Sequence, residues 1–495
     1  MASRVPRGNL LRSLRYFTRP LNSAASSSAF SAPAVPPLNF AEKSDTSVVE
    51  EFQTGGPGVF DVYNTQKLFS SIPTKRLLRA SANLHVAAIE SVVDLGMWVM
   101  KSKLMETELV RNVVMETIRH TFFEHFCAGE DTAAAGQTIL KLREAGLRGM
   151  LVYALEYAAD NESCDRNLEG FLRTVESTKS LPPSSASFII VKITAICPMS
   201  VLEKASDLLR WHHQDPSFDL PWKLDSLPIF ADSTPMYHTL KKPEPLTQEE
   251  ERDLHLGYER LLKLCQKCAE ANVPLSVDAE HTSIQPIIDY LTYASAVAYN
   301  KNDSPIVYGT IQTYLKDAKD RLLLATKAAE GMGVQMGFKV VRGAYMSSET
   351  KIATSLGYES PIHNSIQDTH DCYNDCASFM LEKIANGSGA LVLASHNVES
   401  GRLAAVKARD LGIGKVNHRL EFAQLYGMAE SLSFGLRNAG FQVSKYMPFG
   451  PIDMVMPYLL RRAEENRGLL SASSLDRHLM RTELKRRLKA AIVGA

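Results

Sequence analysis

The chain has no surplus of either charge, little cysteine and no long uncharged apolar run. Its 495 residues carry 55 basic and 55 acidic side chains. A nucleic-acid binder needs a basic face, and that balance argues against one. A membrane-spanning helix needs about eighteen consecutive apolar residues. The nearest stretch, 86–100, is interrupted by Glu90 and Asp94 and reads as an amphipathic helix. Seven irregularly spaced cysteines do not make a disulfide framework. The chain has no His-x-x-x-His motif and no His/Asp cluster. Cys265 and Cys268 have zinc-knuckle spacing but no second pair, and Cys372 and Cys376 are one helical turn apart. No Gly-x-Ser-x-Gly elbow is present. No glycine-rich turn follows the first β-rich run, which argues against a dinucleotide-binding doubly wound sheet.

One further absence is local. No acidic residue precedes Glu42, while Arg4, Arg7, Arg12, Arg15 and Arg19 stand among many Ser and Ala. Residues 1–41 therefore read as a mitochondrial transit segment, followed by a linker over 42–65. Residues 66–146 show helical periodicity. From 147 the pattern changes to short β-rich runs separated by helical segments. The runs are 150–155, 188–194, 273–277, 306–311, 338–342, 390–395, 419–423 and 442–446. Eight strand-then-helix units over 147–470 predict an α/β fold, a distorted (β/α)8 TIM-like barrel. A Pro-rich insertion occupies 211–251. A basic amphipathic helix closes the chain over 471–495, with Leu475, Leu479, Leu484, Leu488 and Ile492 as its apolar stripe. It suits either an anionic membrane surface or the barrel wall. His212 and His213 fall in the insertion and read as surface residues.

In a barrel, chemistry gathers at the C-terminal ends of the strands. Lys192 sits in an apolar run, where a lysine needs a partner, and Asp278 ends the third run. Gln312 ends the fourth. The fifth reads Lys339-Val340-Val341-Arg342-Gly343-Ala344-Tyr345, His396-Asn397 follows the sixth, and Tyr446 ends the eighth. Beyond it, Tyr458, Arg461, Arg462 and Glu465 stand at i, i+3, i+4 and i+7, on one helix face. Two adjacent guanidinium forks can grip a planar carboxylate. A solvated face with an Arg461–Glu465 pair explains the segment equally well by itself. Lys192 as a Schiff-base lysine of an aldolase-type barrel is a second reading. A non-catalytic, membrane-associated scaffold is a third.

Taken together, these motifs resemble the proline dehydrogenase family, in its plant-type mitochondrial form. The resemblance runs from about Gly129 to Leu470. It includes Lys192-Ile193-Thr194-Ala195, Asp278-Ala279-Glu280, the Lys339–Tyr345 segment, Leu425-Tyr426-Gly427-Met428, Tyr446-Met447-Pro448-Phe449-Gly450 and Tyr458-x-x-Arg461-Arg462-x-x-Glu465-Asn466. It implies an N-terminal helical region, an eighth helix over the barrel mouth, and FAD bound without a Rossmann domain. The implied reaction is oxidation of L-proline to 1-pyrroline-5-carboxylate by hydride transfer to flavin. Electrons then pass to quinone, with peripheral attachment to the inner membrane. Lys192, Asp278, Tyr446, Arg461, Arg462 and Glu465 match the catalytic positions. Ala344, Tyr345, Leu425 and Tyr458 match the substrate pocket. Gln312, Lys339, Arg342, Gly343, His396 and Asn397 match the flavin positions. Tyr446 distinguishes proline-oxidising members from hydroxyproline-oxidising ones.

Overall fold

A computed structural model describes residues 59–493, apart from 303, 415, 416 and 469, and leaves the side chains of 101, 464–472 and 493 undescribed. The transit segment and the linker as far as 58 lie outside it. Eight parallel strands close into a barrel in sequence order. They are β1 (Arg148–Tyr153), β2 (Ala186–Val191), β3 (Leu275–Val277), β4 (Val307–Gln312), β5 (Gly337–Val341), β6 (Ala390–Ala394), β7 (Leu420–Leu425) and β8 (Val443–Phe449). β8 pairs with β1 and completes the ring.

The strands are largely buried on both faces because the barrel fills its own interior while helices cover its outside, although β7 and β8 also bury Glu421, Gln424, Ser444 and Lys445. Met150, Val152, Phe188, Ile190, Tyr308, Ala390, Val392 and Ala423 fill the centre. They recur at the two-residue period that sends alternate side chains inward. Phe188 and Tyr308 meet edge to face, with ring centroids 4.8 Å apart.

Each expected run overlaps an observed strand, but three ends move in ways that matter for the site. β2 stops at Val191 and β5 at Val341, so Lys192 and Arg342 stand just beyond their strands. β8 runs on to Phe449, so Tyr446 lies mid-strand and points inward. Pro448, inside β8, has no N–H to give the ladder. Here its carbonyl still accepts from Ala128 N at 2.7 Å.

Four other expectations need correction. The folded body begins before residue 66: Val62, Thr65 and Leu68 are buried. A Cβ at Gly435 would meet the Phe60 ring and Val62. The insertion is a loop over 215–247, because helices Met199–Gln214 and Gln248–Glu270 take its ends. The second helix starts with a Thr247–Glu250 capping box. His212 and His213 occupy the last turn of the first helix and are half-buried, with His212 Nδ1 2.6 Å from Phe218 O.

The terminal helix, Leu470–Val493, buries Asp476, Leu479, Met480 and Glu483, while Leu488 and Ile492 are exposed. At about 100° per residue the expected leucine stripe spreads around most of the helix, whereas 476, 479, 480 and 483 share an arc of about 100°. Asp476 accepts from the backbone N–H groups of Glu430 and Ser431 at 2.8 and 3.0 Å. It thus caps helix Glu430–Asn438, whose own N-cap residue, Ala429, has no capping side chain. Glu483 holds Arg486 and Arg487, and Arg487 reaches Phe69 O and Ile72 O at 2.7 and 2.8 Å.

Helix Ile452–Gly468 covers the barrel mouth. Ile452, Val455, Met456, Tyr458 and Leu459 pack with Met100, Met115, Phe123, Phe126 and Met428. The N-terminal helices therefore clamp the mouth helix from above, and Leu425 and Tyr446 support it from below.

Candidate active site

The site is built around Asp278, which follows β3 and is buried. Its backbone N–H donates to Val191 O at 2.9 Å, which fixes it beside the end of β2. One carboxylate oxygen takes a hydrogen bond from Lys339 Nζ. The other accepts from the Tyr446 hydroxyl at 2.7 Å and lies 3.3 Å from Lys192 Nζ. Burial opposes its charge, but Lys339, Lys192 and the Tyr446 hydroxyl outweigh that cost and hold its carboxyl down at about 2. Burial also opposes the charge on Lys192. Tyr345, Asp278, Glu156 and Glu280 around it nevertheless keep it protonated, well above the ordinary lysine range. The sequence suggested an Asp278–Lys192 pair; the structure shows one carboxylate serving two lysines and a tyrosine.

The second centre is Arg461. Its two terminal nitrogens donate to the two oxygens of Glu156 at 2.9 and 2.5 Å, a bidentate fork between the mouth helix and the segment after β1. Burial opposes the Glu156 charge, but Arg461 and Lys192 hold its carboxyl below the usual range. Arg462, one residue on, is buried with its guanidinium 5.1 Å over the Tyr458 ring. Tyr345 is buried among Lys192, Arg461, Glu156 and Glu280, and burial pushes its hydroxyl up to about 12. The Glu465 side chain lies outside the described residues.

The flavin-position residues divide into two groups. Lys339 points into the barrel and is committed to Asp278. Arg342 points the other way. It donates to His370 Nδ1 at 3.2 Å, to Ser395 Oγ and to Ser400 Oγ at 2.8 Å, and lies 4.3 Å over the Tyr373 ring. Gly343 has φ +136°, and a Cβ there would collide with the Tyr314 ring, so only glycine fits. Gly343 and Ala344 are exposed at the mouth. Gln312 donates to Glu280 O at 3.1 Å, while its buried Oε1 has no hydrogen-bond partner. His396 Nε2 accepts from Leu425 N at 3.1 Å. Burial, then Lys445, Arg462 and Arg342, lower its pKa to about 3, so it is neutral with its proton on Nδ1. The Asn397 side chain caps helix Val398–Asp410 by accepting from Ser400 N at 2.8 Å, a structural role for a residue expected at the flavin.

Glu156 and Glu280 were not among the expected site residues. The strand-end rule would have found Glu156, since the first expected run stops at residue 155. Glu280 lies within a quoted motif. It is fully buried and accepts from Thr194 N and Oγ1 at 3.3 and 2.8 Å.

A closed (β/α)8 barrel with two arginines on its mouth helix and a buried Asp–Lys–Lys–Tyr cluster is the frame of an enzyme. Comparison with known proteins makes that specific. The family model described as proline dehydrogenase matches residues 135–474, and the chain belongs to this family. It is 57% identical over 433 residues to proline dehydrogenase 2, mitochondrial, of Arabidopsis thaliana, covering 87% of this chain and 91% of that one. It is 58% identical to proline dehydrogenase 1, mitochondrial, of the same plant, covering 87% of each. Among solved structures, proline utilization A from Bdellovibrio bacteriovorus superposes with a TM-score of 0.57 at 19% identity. That match covers 86% of this chain and 41% of the longer one, and it speaks to the fold.

Proposed function

We propose that this enzyme oxidises L-proline to 1-pyrroline-5-carboxylate in the mitochondrion, with FAD as its bound cofactor and quinone as the eventual electron acceptor. The observation that carries the reading is the helix Ile452–Gly468, which brings Arg461 to Glu156 and Tyr345 beside the Lys192–Asp278 cluster, with Arg462 next along it. Two adjacent forks fix the carboxylate end of a small ring, and hydride transfer needs that alignment to within about 3–3.5 Å. Tyr446, tethered by Asp278, and Tyr345 form walls for the ring. The protonated Lys192 adds positive charge near the carboxylate. It is a poor Schiff-base nucleophile in that state, which disfavours the aldolase reading.

The residues suit a flavin. The sealed Gln312 Oε1 calls for a donor, because an unpaired buried acceptor is costly. Gly343 is exposed at the strand end, where its backbone is open to a ligand, and the neutral His396 offers an Nδ1–H. Bound FAD would supply the hydride acceptor and its own redox chemistry. Gln312, Gly343, His396 and Arg342 would hold it.

Peripheral attachment to the inner membrane fits the exposed Leu78, Val92, Leu95, Trp98, Leu109 and Val113 of the N-terminal helices better than the terminal helix, which is tied to the body. Among the described residues, no helix is long and apolar enough to cross a membrane.

The direct test is spectroscopic. Purified protein should be yellow, and anaerobic L-proline should bleach it. A colourless protein, or one whose flavin ignores proline, would overturn the proposal. A second test addresses the Arg461–Glu156 fork. Glu156→Ala strands a buried guanidinium, so its melting temperature should fall by several degrees. Adding L-proline should raise it more than in the parent, because the substrate carboxylate replaces the lost partner. Equal proline-induced shifts would contradict the clamp.

A further inference from the structure

The Pro-rich insertion has no role in the site described so far, yet hydrogen bonds tie it to the back of the substrate pocket. It packs tightly, with Leu220, Leu227, Ile229, Tyr237 and Leu246 buried. His238 Nε2 lies 2.8 Å from Thr282 Oγ1. Thr282 in turn donates from its hydroxyl and its backbone N–H to the two oxygens of Glu349, the latter at 2.8 Å. That leaves His238 as the donor to the Thr282 oxygen, in keeping with burial lowering its pKa to about 4. Thr239 grips the same loop indirectly. It donates to Asp207, which holds Arg210, and Arg210 donates to the carbonyls of Thr282 and Ser283 at 2.5 and 2.9 Å.

The loop so held carries His281. Its ring packs against Tyr345, with centroids 4.1 Å apart and planes 47° apart. His281 Nδ1 stands 3.7 Å from Glu349 Oε1, on a carboxylate that is fully buried. Glu349 lies in the first turn of helix Met346–Ser355, and its backbone N–H donates to Tyr345 O at 2.9 Å. Ser348 Oγ donates to the same carbonyl at 2.8 Å. Tyr345 is therefore fixed through its ring by His281 and through its carbonyl by the helix that bears Glu349. Both fixings meet at Thr282.

We propose that His281 and Glu349 are positioning residues that set the Tyr345 ring in the pocket, and that the insertion acts on substrate binding through them by way of His238 and Thr282. This rests on Tyr345 lining the proline pocket. A ring left without its backing samples other rotamers, and a small misplacement at a substrate wall weakens binding before it affects the bound reaction.

The test compares steady-state kinetics, flavin content and the visible spectrum of the full-length enzyme and its variants. His281→Ala and Glu349→Gln should each raise the KM for L-proline about tenfold, with kcat within about twofold and flavin content unchanged. His281→Phe, which keeps a ring against Tyr345, should recover most of the lost affinity. His238→Ala, remote from the pocket, should raise KM about threefold, and the His238→Ala/His281→Ala double variant should be no worse than His281→Ala alone. Unchanged KM in His281→Ala would overturn the inference. So would additive effects in the double variant, or parallel loss of kcat and flavin. Arg461→Ala separates the two levels. If it raises KM while the His281 and Glu349 variants do not, only this inference fails. If it leaves KM unchanged, the pocket assignment fails and takes the inference with it.

Discussion

Arg461→Ala should raise the KM for L-proline by roughly two orders of magnitude, in line with the ~2–4 kcal/mol expected for losing one charge-assisted pair to a carboxylate. Flavin content should stay close to that of the parent, because Arg461 contacts Glu156 and the residues around Lys192 and is not among the residues placed at the cofactor. The substitution has a second consequence. Glu156 is buried and owes its ionised state mainly to Arg461, so without that partner its carboxyl pKa rises. Adding Glu156→Gln to Arg461→Ala should therefore restore stability without restoring affinity. Steady-state kinetics with flavin absorbance checks the first effect, and thermal denaturation of the single and double variants checks the second. Parent-like kinetics in Arg461→Ala would remove the basis for a carboxylate clamp.

Asp278→Ala should be the most damaging single change in the barrel. It leaves Lys339 without its ion-pair partner and Lys192 with only the more distant Glu156 and Glu280, and removing one partner of a buried ionic cluster costs about 3–5 kcal/mol. It also frees the Tyr446 hydroxyl. Loss of stability, bound flavin and activity together is the expected result. Asp278→Asn should be nearly as severe, since the amide keeps the shape but not the charge. The native carboxyl titrates at about 2, against about 3.9 in an unfolded chain. Its stabilisation, roughly 2–3 kcal/mol by linkage, is thus fully present above pH 4 and is lost as pH falls through 2. The stability gap between parent and Asp278→Asn should narrow on acidification across that window. A gap that stays constant down to pH 2 would show that Asp278 stabilises by packing alone.

The barrel was legible in the sequence because parallel strands covered on both faces leave short β-rich runs, several of them almost wholly apolar, that recur with helical spacers. Strand ends were less legible. Lys192 and Arg342 are continuous with β-rich runs, yet the ladder stops one residue before each. Tyr446 was placed at an end, although the strand runs three residues further through Pro448 to Phe449. Helical spacing put the two arginines with Tyr458 on one face, but by itself it fitted a solvated face as well. Their partner was not legible: Arg461 lies 305 residues from Glu156, and nothing local reports a contact of that range. The same limit applies to the terminal helix. Its leucines suggested an apolar stripe, whereas two buried acids, Asp476 and Glu483, fix its orientation by capping a distant helix and holding Arg486 and Arg487. Asn397 shows the reverse case, in which a motif residue expected at the cofactor caps a helix.

The central claim is that the mouth helix selects and aligns substrate by its carboxylate. The most direct measurement is anaerobic flavin reduction by L-proline and by pyrrolidine, which has the same ring without the carboxylate, in the parent and in Arg461→Ala. The parent should be reduced rapidly by proline and scarcely by pyrrolidine, and Arg461→Ala should lose most of that preference by slowing only with proline. Equal rates for the two amines in the parent, or an undiminished preference in the variant, would contradict the clamp.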